Sequence, residues 1–126
     1  MKSFLTALVI AALLLAASEV YMVKLNKATE ELSGINNNIM AAINADDYNT
    51  ARSEIERFSK RLEQKHMFFA AMGNHAEMDN IEMSLSELKS YSEGEQKFDA
   101  LAKSYTLAYL LGHLPENMKL RIENIL

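Results

Sequence analysis

The stretch Asp46-Asp47-Tyr48-Asn49-Thr50-Ala51-Arg52-Ser53-Glu54-Ile55-Glu56-Arg57-Phe58-Ser59-Lys60-Arg61-Leu62 decides the fold class. Its apolar residues Tyr48, Ala51, Ile55, Phe58 and Leu62 recur at intervals of 3, 4, 3 and 4. A helix of 3.6 residues per turn puts all five on one face. The other faces carry Arg52, Glu54, Glu56, Arg57, Lys60, Arg61 and Glu63. Acids interleaved with bases in this way read as a solvated helix surface, not as a basic patch. Asp46 or Asp47 supplies the N-cap, because a short carboxylate accepts the unpaired amides of the first turn. Beyond a polar gap at Lys65 the stripe resumes at Phe69.

The same spacing continues outward in both directions. Upstream, Leu25, Ala28, Leu32, Ile35, Ile39 and Ala42 form an a/d stripe, weakened by Gly34 and the run Asn36-Asn37-Asn38. Downstream come Met78, Ile81, Leu85 and Leu88, closed by Ser92-Glu93-Gly94-Glu95 with Gly94 as the terminator. Gly73-Asn74 reads as a turn or a kink between them. A fourth stripe is Phe98, Leu101, Tyr105 and Ala108, running into Leu110-Leu111. Gly112 is expected to end that helix, and Pro115 to open a short last one over residues 116–126. Met118, Ile122 and Ile125 share one face of this tail. They are expected to dock it on the helices carrying Ile81 and Leu85, or Phe98 and Leu101. No segment alternates with period two, so no sheet is expected.

The first 23 residues stand apart. Phe4 to Val23 is a run of 20 residues with Thr6, Ser18 and Glu19 as its main polar members. About 20 helical residues cross a hydrocarbon core of roughly 30 Å. Lys2, the apolar run and Ala16-Ala17-Ser18 also satisfy the pattern of a signal peptide over residues 1–18. Glu19 falls in the last turn, beside Tyr21 at the expected interface, and Lys24 to Asn44 continues as helix with no extended cleavage region. The anchor over residues 1–23 is therefore the favoured reading. The expected fold class is all-α: an N-terminal transmembrane helix followed by an up-down antiparallel helical bundle over residues 24–126. With one early lysine inside, the bundle is expected outside the cytoplasm on a single-pass anchor in the cell membrane.

Composition narrows the function. The chain has 126 residues, 13 Lys+Arg against 17 Asp+Glu, a net charge of -4 and no cysteine. The acidic balance excludes a nucleic-acid binder, which needs clustered positive charge. Without cysteine there is no disulfide, thiolate metal site or thiol nucleophile. The four glycines are scattered, so no phosphate-cradling loop occurs. An enzyme is not expected, nor a cofactor.

The densest polar constellation is His75-Ala76-Glu77-Met78-Asp79-Asn80-Ile81-Glu82. His75, Asp79 and Glu82 fall at i, i+4 and i+7, one line of an imidazole and two carboxylates that would suit Zn, Mn or Fe. No second histidine–carboxylate motif completes a four-ligand set, so hydrogen bonding at a helix edge is the stronger reading. His66 reads as a half-buried histidine at a core edge and His113 as a helix C-terminal cap. Met67, Met72, Met78 and Met83 cluster around Gly73. Core filling is the favoured role, and an adaptable partner surface the alternative.

The order of these features resembles a known family. The residues that carry the resemblance are Asp46-Asp47-Tyr48 with Ala51, and His75-x-Glu77-x-Asp79-Asn80-Ile81-Glu82 with Leu85 and Leu88-Lys89-x-Tyr91. They continue with His113-Leu114-Pro115-Glu116-x-x-x-Leu120 and Glu123-Asn124-Ile125-Leu126. The pattern is similar to a family of small single-anchor membrane proteins from Gram-positive endospore-forming bacteria, classed as a domain of unknown function. Members often carry a tryptophan upstream of the histidine block, where this chain has Phe68-Phe69. The resemblance implies an accessory role beside a membrane protein and transfers no catalytic residue. The expected function is a non-enzymatic, membrane-anchored helical interaction module that acts on a membrane-protein partner or self-associates. The competing expectation is an extracytoplasmic ligand- or metal-sensing bundle, its small-molecule ligand unspecified.

Overall fold

One continuous helix, α1, runs from Lys2 to Asn44 and joins the apolar segment to the bundle without a break. The structure, a computed structural model, describes residues 1–71 and 75–125, without the Ile125 side chain. Over its apolar part α1 has a mean hydropathy of 2.1 in an 18-residue window, and none of that window is buried. This helix is long and apolar enough to span a membrane; its length and composition also fit a signal sequence. From Leu25 onward the exposure pattern changes. Leu25, Ala28, Leu32, Ile35, Ile39 and Ala42 are all buried, the expected stripe.

Four further helices follow: α2 (Tyr48–Gln64), α3 (His66–Ala70), α4 (His75–Glu93) and α5 (Lys97–Ile125). No strand occurs among the described residues. α1 packs on α2 and α5, and α4 packs on the same two, so four long helices form a closed up-down bundle. Neighbours run antiparallel because each connection is short. The α2 stripe Tyr48, Ala51, Ile55, Phe58 and Leu62 is buried with Phe69, as is the α4 stripe Met78, Ile81, Leu85 and Leu88. Gly73-Asn74, the expected turn or kink, lies outside the described residues.

Both turns at the far end use one device. Asp47 caps α2 by accepting from the Thr50 amide at 3.1 Å. Asp46 (φ 57) and Glu95 (φ 54) each take the left-handed conformation that reverses the chain. The amides of Asp47 and Gln96 then reach back to the carbonyls of Ala42 and Tyr91. α4 ends at Glu93, directly before the expected Gly94, and the left-handed residue that reverses the chain is Glu95. The Lys97 ammonium ties the two turns together, through the Asn44 carbonyl at 3.2 Å and the Asp46 carboxylate at 3.1 Å.

α5 departs most from expectation. Its core face is Ala100, Ser104, Leu107, Leu111, Leu114 and Met118, all buried. The expected stripe is out of phase: Phe98 and Tyr105 point to solvent, and Leu101 and Ala108 are only partly covered. Gly112 does not end the helix, and Pro115 lies inside it. His113 is therefore no C-terminal cap. It sits mid-helix with Nδ1 2.8 Å from the Tyr109 carbonyl. The tail is the last turns of α5, where Met118 is buried and Ile122 packs against the core edge beside α1. It does not fold back on Phe98 and Leu101, which lie on the same helix.

Proline at an interior position removes one backbone bond and crowds the carbonyl four residues earlier, at a cost of roughly 3 kcal/mol. Here that carbonyl belongs to Leu111. The helix continues because Leu114 and Met118 are fully in phase with the core. Each contributes roughly 1.5–3 kcal/mol by burial. Replacing Pro115 with alanine should restore the bond and stabilise the chain by about 1–2 kcal/mol, part of that cost. A thermal midpoint several degrees higher in detergent-solubilised protein checks it.

Where α1 crosses α5, the core contains a polar pair. The Asn36 side-chain amide donates to the Ser104 carbonyl at 2.9 Å, and the Ser104 hydroxyl donates to Asn36 Oδ1 at 2.8 Å. Both residues are buried. The asparagine expected to weaken α1 instead fixes its register on α5.

Candidate functional site

The histidine block does not assemble a site. His75, Asp79, Asn80 and Glu82 are all exposed on the outer side of α4, and Ile81 is core. Glu82 Oε1 lies 3.7 Å from His66 Nδ1. Glu77 pairs with Arg121 of α5 at 3.0 Å, holding the near ends of α4 and α5 together. No group of three or more histidine, aspartate or glutamate side chains that could hold a metal ion occurs among the described residues. Asn124 is exposed, while the Ile125 side chain and Leu126 lie outside the described residues. The four clustered methionines divide: Met78 is core, Met67 and Met83 are exposed, and Met72 is outside the described residues.

The charged faces are largely internally matched. Glu31 of α1 receives Arg61 at 2.9 Å and Lys65 at 3.1 Å from α2 and its cap. The hydrogen bond from Lys65, with the nearby positive charges, holds its carboxyl below the usual range. Lys89 reaches Glu56 at 3.2 Å across α4 and α2. Lys103 reaches Glu87 at 2.9 Å, a bond that raises the ammonium's pKa. Exposed pairs of this kind contribute little individually.

Among the described residues, α5 carries a second, exposed apolar face. Phe98 is 84% exposed, and Tyr105 and Tyr109 are each 64% exposed. With Ala102 and Gly112, both also exposed, they are spaced 4, 3, 4 and 3 along the helix. That is the heptad interval at which a second helix packs along the first. Three aromatic rings and two small residues share the face, so it offers both knobs and hollows. Tyr109 is propped by its own helix, its ring 4.1 Å from that of His113. A side-chain carbon built at Gly112 would meet nothing within 4 Å. Glycine inside a helix costs roughly 0.5–1 kcal/mol against alanine, and no contact within the bundle offsets that cost.

Sequence reading placed Phe98 and Tyr105 in the core and so did not separate this face from the buried one. The signal that separates them was present. Two interleaved 3,4 series run along α5, and only one is in register with the asparagine and leucines of α1.

A protein family described as Domain of unknown function (DUF4363) matches residues 20–125. No curated protein and no solved structure matches the chain.

Proposed function

Because the chain belongs to this family of domains of unknown function, we propose its role from its surface: a non-enzymatic helical interaction module, held at the cell membrane by residues 1–23. Its bundle stands outside the cytoplasm on a single pass. Its working surface is the outer face of α5, and its partner is a helix of another membrane protein. The observation that carries this reading is the heptad of Phe98, Ala102, Tyr105, Tyr109 and Gly112 left facing solvent on a helix whose opposite face is fully buried. Large aromatic side chains are the residues that dominate helix–partner contacts. α5 is antiparallel to α1 and ends beside Leu15, Ser18 and Met22. Its outer face therefore runs alongside α1 toward the anchor, apolar from Phe98 to Gly112 and charged at Glu116, Lys119 and Glu123 nearer the membrane, so the partner helix meets it above the bilayer.

The competing reading, a ligand-sensing bundle, draws on one feature. A groove of about 360 Å³ between α2 and α4 is lined by His66, Glu63, Glu82 and Lys89 among others. Its polar groups are largely exposed and already paired with one another, which favours the interaction module.

The absence of cysteine makes the test direct. Tyr105→Cys carrying a maleimide–benzophenone photo-cross-linker should form a specific adduct in native membranes on illumination, and Lys60→Cys on α2 carrying the same reagent should not. Tyr105→Asp with Tyr109→Asp should abolish the cross-linked partner while helix content stays unchanged. A product of twice the chain mass would assign the face to self-association. Equal cross-linking from both positions, or a partner retained by the double aspartate variant, would overturn the reading. Gly112→Ala gives an independent check. It should stabilise the bundle by about 0.5–1 kcal/mol and weaken the partner contact.

A further inference from the structure

We propose that the membrane-proximal end of the bundle holds the phosphodiester headgroup of an anionic phospholipid in a groove between α1 and the α2–α3 corner. The groove has a volume of about 310 Å³ and is lined by Lys24, Lys27, Glu31, Gln64, Lys65 and Phe68 among others. Three lysines converge there from two separate parts of the chain. Lys24 and Lys27 lie one turn apart on α1, and Lys65 is the residue that ends α2.

The charge balance is local and one-sided. Glu31 is the one acid lining the groove, and it is already matched by Arg61 and Lys65. Lys24 and Lys27 form no ion pair among the described residues. A net cationic groove thus sits on a chain whose overall charge is -4. Ammonium groups bind phosphate oxygens as point charges that need no fixed fork geometry. The Gln64 amide adds a neutral donor for an ester or hydroxyl oxygen.

Position selects the lipid over a free phosphate. Lys24 follows Val23 directly, so at 1.5 Å per residue Lys24 and Lys27 stand within about 6 Å of the end of the apolar run. With the charged end of α5 beside Ser18 and Glu19, the two lysines stand on the water side of the apolar segment and extend their stems toward the headgroup layer. The side of the groove is apolar: the Phe68 ring stacks on Tyr21 with centroids 4.7 Å apart, and the Tyr21 hydroxyl donates to the Phe68 carbonyl at 3.2 Å. A lipid needs both halves, cations for its phosphate and an apolar wall for the glycerol end of its chains. The inference rests on reading residues 1–23 as an anchor.

The test uses the full chain in a non-ionic detergent, supplied with phosphatidylglycerol or phosphatidylcholine and read by native mass spectrometry. The unaltered chain should retain phosphatidylglycerol in preference to phosphatidylcholine. Lys24→Gln with Lys27→Gln, which disturbs no ion pair among the described residues, should reduce that retention about thirtyfold. Adding Lys65→Gln should reduce it further, and Lys60→Gln should leave it unchanged. Equal retention of the two lipids, or undiminished retention by the double variant, would overturn the proposal. So would displacement of the lipid by millimolar glycerol phosphate, which would make the groove a site for free phosphate. Carbonate extraction of native membranes tests the anchor separately. A chain released by carbonate that still selects phosphatidylglycerol would refute the anchor and leave the groove standing.

Discussion

Replacing Phe58 with alanine should destabilise the bundle by about 3–5 kcal/mol. Phe58 is 0% exposed, at the middle of the α2 stripe between Ile55 and Leu62. Truncation loses the transfer free energy of the ring and leaves a cavity that helices on either side cannot close without shifting their own contacts. Against a total stability of about 5–15 kcal/mol, that loss is a large fraction. The measurement is the denaturation midpoint of the full chain in detergent, followed by far-ultraviolet circular dichroism. Phe98→Ala is the matched control. It removes the same ring from a position that is 84% exposed, and its midpoint should move by less than about 0.5 kcal/mol. Equal losses from the two variants would mean that the outer face of α5 is packed against the bundle after all.

The contrast between Phe58 and Phe98 also marks how far the fold is legible in the sequence. On α1, α2 and α4 the apolar residues occupy one face each, so a 3,4 spacing has a single reading and the buried residues follow from it. α5 is apolar on two faces. Its core face is built from small and medium residues, Ala100, Ser104 and Leu107, while the rings lie outside. Size drew the expected stripe to Phe98 and Tyr105. The face that counts is the one that meets α1, where Ser104 pairs with the buried Asn36. Gly112 and Pro115 misled for a related reason. Local propensity argues for a break there, and tertiary burial of Leu111, Leu114 and Met118 overrides it.

The candidate surfaces were less legible. The heptad Phe98, Ala102, Tyr105, Tyr109 and Gly112 is a local pattern, and the sequence contains it in full. Its meaning depends on which α5 face is buried, which is a property of the assembled bundle. The lysine groove is not local at all. In the sequence Lys24 and Lys27 simply follow the apolar segment, and Lys65 reads as a gap in a stripe. They meet because α1 and α2 are antiparallel and α2 ends where the apolar run does. His75, Asp79 and Glu82 share a helical line, and among the described residues they belong to no group of three that could hold a metal ion.

Asn36→Asp should be tolerated in acid and cost about 3–5 kcal/mol at neutral pH, the penalty of an uncompensated buried charge. The substitution is nearly isosteric, and Asn36 is 1% exposed. In the native pair the amide donates to the Ser104 carbonyl, and Oδ1 accepts from the Ser104 hydroxyl. A protonated aspartic acid keeps both roles, with its O–H donating to the carbonyl. A carboxylate keeps only one and sets a charged oxygen against the carbonyl oxygen at a buried position. Burial and that repulsion raise the folded pKa above the unfolded value of about 3.9. The sign follows from the linkage: stability is fully present below pH 3.9 or so and is lost as pH rises through the raised folded value. The thermal midpoint of the variant, taken relative to the unaltered chain at each pH, should therefore be near zero difference at about pH 4 and strongly negative at pH 7. Surface carboxylates such as Glu31 and Asp47, whose pKa values are lowered by their partners, act in the opposite direction and cancel in the difference. A variant equally destabilised at both pH values would show that the asparagine amide is needed for its shape alone, and a variant unaffected at pH 7 would show that the α1–α5 crossing admits water.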